Sequence, residues 1–124
     1  TDVTGFGLAG HLLEMCNGAG LDATLNLSRI PELPALDDYI AKGCVPGGTE
    51  RNHTAYGAAL PELTHRDKAI LCDPQTSGGL LIAVAEASLH EVQAALHQNG
   101  LPQEVIGLLG DQSGPTSQII LPSA

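Results

Sequence analysis

The sequence predicts an α+β domain, with about four strands in one mixed sheet, helices packed on it, and a partly ferredoxin-like build. Three observations carry that expectation. Apolar residues recur at helical spacing through Leu8, Leu12, Leu13 and Cys16, alternate with polar ones over 21–27, and run without alternation over 80–85. A chain of 124 residues is read as one domain, 1–124, long enough to bury a core.

The opening stretch, Thr1-Asp2-Val3-Thr4-Gly5-Phe6-Gly7, runs into the first helix. With Thr4 as N-cap, the N–H groups of Gly5, Phe6 and Gly7 are expected to form its positive end, open to an anion because side chains are missing. Two anions in contact repel. Asp2 beside a bound phosphate therefore makes sense as a Mg²⁺ ligand. The plainer alternative is that Asp2 and Thr4 only cap the helix.

Asn17-Gly18-Ala19-Gly20 stops that helix, and Leu21, Ala23, Leu25 and Leu27 then share one face of a half-buried strand. Ser28 to Pro34 connects to a short helix through Leu36, Ile40 and Ala41, with Asp37 and Asp38 early in it and Gly43 as terminator. In Pro46-Gly47-Gly48-Thr49-Glu50-Arg51-Asn52, Thr49 is expected to cap a helix over Arg51 to Leu60. The same glycines are either a second anion cradle, with Arg51 adding a cation, or an ordinary turn.

Leu60 to Lys68 is polar and weakly periodic, and Ala69 to Cys72 begins the most apolar part of the chain. Asp73-Pro74-Gln75-Thr76-Ser77-Gly78-Gly79 gathers a carboxylate, hydroxyls and glycines, suited to phosphate contacts or to plain turn chemistry. Leu80 to Ala85 is expected to be a central strand covered on both faces. Ser88-Leu89-His90-Glu91 reads as a capping box for a helix ending at Asn99-Gly100. Strands over Glu104–Leu109 and Gln118–Leu121 follow, and the helix between the strands at Leu80 and Val105 implies a right-handed βαβ crossover.

Composition excludes several classes of function. With a net charge of −9 and only Phe6, Tyr39 and Tyr56 as aromatics, the chain has neither the cations nor the stacking platforms of a nucleic-acid binder. No apolar run approaches bilayer length and no signal peptide is recognisable. Cys16, Cys44 and Cys72 are odd in number and lack a C-x-x-C pair, which fits a reducing cytoplasm. Their equal spacing marks no repeat, because the patterns after them differ. His90 and His97 lie off the apolar stripe of their helix and read as surface residues. No P-loop, nucleophile elbow or loop Lys is present, so a phosphate site here needs its catalytic cations from elsewhere. The chain starts without Met and inside a motif, as a piece of a larger protein would.

Thr1 to Gly7 with Gly10-His11-Leu12, Pro46-Gly47-Gly48-Thr49-x-x-Asn52 and Leu71-Cys72-Asp73-Pro74-Gln75-Thr76-Ser77-Gly78-Gly79-Leu80-Leu81 together resemble, in order and over nearly the whole chain, the C-terminal domain of selenophosphate synthetase (selenide, water dikinase). The D-x-T-G-x-G element belongs to the wider aminoimidazole ribonucleotide synthetase-like group. The L-C-D-P-Q-T-S-G-G-L element is specific to the selenium enzymes. The resemblance implies a cytoplasmic homodimer converting selenide, ATP and water to selenophosphate, AMP and phosphate. Its missing N-terminal domain would bind ATP and carry the reactive Cys or selenocysteine and an essential Lys. Asp2 corresponds to a Mg²⁺ ligand, and Thr4, Gly5, Gly7, Thr49, Asn52, Asp73, Thr76 and Ser77 are candidates to face the cleft. No catalytic residue is expected in this chain, and alone it should be inactive. Two alternatives stand: the matching domain of a sister ATP enzyme (aminoimidazole ribonucleotide synthetase, thiamine-phosphate kinase or hydrogenase-maturation type), and a non-catalytic small-molecule-binding or dimerisation module.

Overall fold

The computed structural model describes residues 1–123. Helix α1, Gly7–Ala19, buries Ala9, Leu12, Leu13 and Cys16 and stops where Gly20 takes a left-handed conformation at φ 67°. Phe6, not Thr4, holds the N-cap position, and no side chain caps the helix. Gly7 donates its N–H to the Thr4 carbonyl at 3.0 Å, so one of the donors expected to be open to an anion is already used.

Strand β1, Leu21–Leu25, is the middle of a three-stranded mixed sheet in the order β2-β1-β3. It pairs antiparallel with β2, Gly107–Asp111, from Leu21 opposite Asp111 to Leu25 opposite Gly107. It also pairs parallel with β3, Ile119–Ile120, with Ala23 opposite Ile119. Ala23 and Leu25 of β1 bury against α1 in one cluster with Leu71, Cys72, Leu81 and Ile119. Leu27 leaves the strand for a 3₁₀ turn, Leu27–Arg29, because the Asn26 carboxamide accepts from the Ser28 N–H at 3.1 Å.

The run 80–85 departs most from expectation. Only its first two residues are paired, Leu80 in an antiparallel bridge to Asp2 and Leu81 by hydrogen bonds to Thr1, and Leu80 and Ile82 are 66% and 45% exposed. The described residues thus hold neither the fourth strand nor the βαβ crossover. A run without alternation needs cover on both faces, and this chain covers one.

Helix α2, Leu36–Ala41, starts after Ala35 at φ 65°, carries Asp37 and Asp38 in its first turn, and precedes Gly43 at φ 77°. Helix α3, Gly47–Tyr56, begins earlier than expected: Pro46 precedes it, and Thr49 lies inside it with its N–H on the Pro46 carbonyl. A 3₁₀ turn, Gly57–Ala59, continues it. Helix α4, His65–Leu71, replaces the expected irregular stretch, capped by the Thr64 hydroxyl accepting from the Asp67 N–H at 3.1 Å. Arg66 of α4 ties down the connector before α2 through Glu32 at 2.8 Å and Asp37 at 2.6 Å, and it holds the Asp37 carboxyl below its usual range. Helix α5, Leu89–Gln98, ends before Gly100 at φ 67° as expected, although Ser88 makes no capping bond and none of its residues is fully buried.

Asp22 is a buried carboxylate in β1, where alternation alone would turn it to solvent. Its two oxygens accept from the Ser113 N–H at 2.9 Å, the Ser113 hydroxyl at 2.7 Å and the Gln118 N–H at 3.0 Å. They pin the loop that brings β3 alongside β1. The Ser113 hydroxyl and N–H hold this carboxyl below its ordinary value, outweighing desolvation. A depressed folded pKa adds stability above the unfolded value near ~3.9, lost as pH falls through the lower folded value. Asp22→Asn places an NH₂ against one of these donors. Thermal melts should show a Tm lower by several degrees at pH 7, and the gap from the parent chain should close as pH drops below about 4.

Candidate functional site: three glycine loops joined by one asparagine

The three glycine-rich motifs, far apart in sequence, meet in space. Asn52 of α3 donates its side-chain N–H groups to the Gly5 carbonyl at 2.9 Å and the Cys72 carbonyl at 3.0 Å. One carboxamide thus bridges the opening loop and the loop after α4. Around that bridge the backbones approach closely. Thr4 accepts from the Gln75 N–H at 3.1 Å, and Val3 donates to the Gly79 carbonyl at 2.9 Å.

Several glycines are set by these approaches rather than by a ligand. A Cβ on Gly78 would lie 1.9 Å from the Val3 carbonyl oxygen, and one on Gly48 would lie 2.8 Å from the Pro74 ring. Gly7 combines φ +73° with backbone of Asp73 at 2.9 Å, so both conformation and space require glycine there. Gly10 admits the Tyr56 ring, whose hydroxyl donates to the Phe6 carbonyl. Burial raises the Tyr56 pKa and keeps that donor protonated.

The expected site residues fall into two groups. Asp2, Thr4, Gly5, Thr76 and Ser77 are exposed and Asp73 is half-buried, whereas Gly7, Thr49 and Asn52 are in the interior. Thr49 is 1% exposed, and its hydroxyl has no hydrogen-bond partner among the described residues. Desolvation raises the Asp73 carboxyl pKa, with a Gln75 hydrogen bond opposing it. The Asp2 carboxylate stands on an exposed residue opposite Leu80. Burial likewise raises the Cys16 and Cys72 thiols, so neither is an activated nucleophile.

Charge around the loops is sparse. The Arg51 guanidinium lies against Gly48, while Lys68 is paired with Glu50 at 2.7 Å. A surface hollow of about 490 Å³ is lined by Leu27, Ser28, Ile30, Glu32 and Arg66, none of them from the three loops. Among the described residues no three His, Cys, Asp or Glu side chains converge to hold a metal. Mg²⁺ is commonly held by one or two carboxylates together with phosphate oxygens and water. An exposed Asp2 therefore fits a share in such a site, and the described residues supply no complete one.

Sequence reasoning missed His11 and Tyr56. The buried His11 ring meets the Thr4 hydroxyl at Nε2, 3.1 Å away. Its Nδ1 lies 3.2 Å from Glu14 Oε2 but is not aligned for a hydrogen bond. A seven-residue offset puts Thr4 and His11 on one side of the helix start, which was the available signal. For Tyr56 the signal was a bulky aromatic, the last residue of α3, in a chain with few aromatics.

Residues 1–120 match the family described as AIR synthase related protein, C-terminal domain. The chain belongs to that family. This AIR synthase related C-terminal domain is 58% identical over 118 residues, 95% of its length, to a protein of Shewanella sp. (strain W3-18-1) named selenide, water dikinase. Proteins of the same name from Shewanella baltica (strain OS185) and Photorhabdus laumondii subsp. laumondii are 59% identical over 88% of the chain and 53% identical over 90% of it. The domain spans about a third of the length of these relatives, 33%, 31% and 32% respectively.

Asn52→Leu removes both bridging donors and strands two backbone acceptors. Urea unfolding should show a loss of about 2–4 kcal/mol. A loss below about 0.5 kcal/mol, the range of an ordinary surface substitution, would mean that the loops are held together without the bridge.

Proposed function

We propose that this chain is the C-terminal domain of an enzyme that makes selenophosphate from selenide, ATP and water, releasing AMP and phosphate. The observation that carries the reading is the bridge through Asn52, which fixes the opening loop and presents Asp2 at the surface of the joined loops. Identity of 53–59% to proteins named selenide, water dikinase supports the substrate class.

In this reading Asp2 would help to hold the Mg²⁺ that accompanies ATP, which would supply neutralisation of the phosphate charge. The exposed Thr4, Thr76 and Ser77 hydroxyls and the Gly5 N–H line the wall facing the nucleotide. Thr49, Asn52 and Gly7 act from inside, by holding that wall in shape. Asp73, half-buried with its carboxyl pKa raised by desolvation, faces the cleft beside them. An N-terminal domain supplies the remaining ATP contacts, the Lys and the reactive Cys or selenocysteine, and the complete protein works as a cytoplasmic homodimer. The shortage of free cations in the loops supports this division, since phosphoryl transfer needs more positive charge than Arg51 provides.

In the complete protein, Asp2→Asn should lower selenide-dependent AMP formation at ordinary Mg²⁺ and raise the Mg²⁺ requirement about 10- to 100-fold. Excess Mg²⁺ should restore part of the rate. Unchanged activity and an unchanged Mg²⁺ dependence would remove the metal role of Asp2.

A further inference from the structure

The apolar run at Leu80 is half of an unfinished β-ribbon. Thr1 and Leu81 exchange two hydrogen bonds: the Thr1 nitrogen donates to the Leu81 carbonyl at 2.9 Å and the Leu81 N–H to the Thr1 carbonyl at 2.8 Å. Asp2 then stands opposite Leu80, and Val3 donates to Gly79 at 2.9 Å. This is antiparallel pairing in a single register. Its two faces differ. Val3 and Leu81 point inward and are 6% and 8% exposed, whereas Leu80 and Ile82, on the face of Asp2, are 66% and 45% exposed. Beyond Leu81 the strand-forming residues Ile82, Ala83 and Val84 make no backbone hydrogen bond among the described residues.

We propose that the edge Ile82–Ala85 is completed by the polypeptide immediately preceding Thr1 in the longer protein, running antiparallel to it. Three observations select this occupant over a separate partner. The register already set by Thr1 and Leu81 carries any preceding residue along that edge. The family is that of a C-terminal domain, and the chain spans only 33% of a selenide, water dikinase relative, so most of such a protein lies outside it. An uninterrupted apolar run demands cover that this chain does not supply. The residue before Thr1 then sits opposite Ile82 in a non-hydrogen-bonded pair, and the second residue before Thr1 exchanges both bonds with Ala83. Completing the ribbon fixes the backbone that carries Asp2. The pairing is independent of whether Asp2 binds a metal.

The test uses the longer protein. Hydrogen exchange should find the Ala83 and Ala85 amides, which face the added strand, protected at least about 100-fold over their unstructured rates, independent of protein concentration. In a second measurement, cysteines at the residue before Thr1 and at Ile82 (I82C), with Cys44→Ser to remove the exposed thiol, should oxidise to a disulfide, since such a pair brings the Cα atoms to ~4.5 Å. A cysteine at Val84 (V84C) should not pair with the same site. Protection below tenfold, protection that grows with concentration as for a second copy, or equal cross-linking of I82C and V84C would overturn the proposal.

Discussion

The Asn52 carboxamide is the contact on which the arrangement depends. Backbone carbonyls at loop ends need donors once water is gone, and Gly5 and Cys72 receive theirs from one side chain. With that bridge in place, Gly7 can lie against Asp73, Gly48 against Pro74 and Gly78 against Val3, approaches that any Cβ would prevent. The glycines of these motifs thus serve the packing of loop on loop. Whatever anion contact the loops make is left to the exposed positions, Gly5 foremost.

A second polar device holds the other end of the domain. The Asp22 carboxylate gathers Ser113 and Gln118, and through them a two-residue strand, Ile119–Ile120, lies parallel to β1. Both devices place a buried polar side chain, bonded to two separate segments, where the chain crosses between elements distant in sequence. Each is costly to leave half-satisfied, which favours one arrangement over its neighbours.

Local structure was legible where the pattern is local. Alternation from Leu21 to Leu25 marked β1, Gly20, Gly43 and Gly100 marked helix ends, and the stretch from Ser88 to Asn99-Gly100 marked α5. Asp2, Thr4 and Gly5, singled out because carboxylate, hydroxyl and glycine stand side by side, are exposed in the fold, while Gly7, Thr49 and Asn52 went inside. The start of α4 was missed although Thr64 and Asp67 carried its capping signal, since the polar residues between them masked the period. Thr49 was misplaced as a cap because its hydroxyl chemistry fits one, while the helix starts earlier, at Gly47 after Pro46, with no side chain capping it. Pairing was not legible at all: nothing local says that β3 joins β1 in parallel or that Leu81 faces Thr1, since both depend on contacts across most of the chain.

Leu80 and Ile82 link these points to function. Their exposed side chains share a face with Asp2, so the surface that lacks cover is the one that displays the proposed metal ligand. A phosphate site assembled from two domains would have this form: a rigid loop cluster with one carboxylate, apolar surroundings to exclude water once covered, and cations arriving with the second domain. The account is tested most directly by replacing Mg²⁺ with paramagnetic Mn²⁺ and a non-hydrolysable ATP analogue in the complete protein and following the amide signals of this domain. It predicts strong broadening of Asp2 to Gly5 and of Asp73 to Ser77 together, dependent on the nucleotide. Broadening confined to other parts of the domain, or none in either loop, would contradict it.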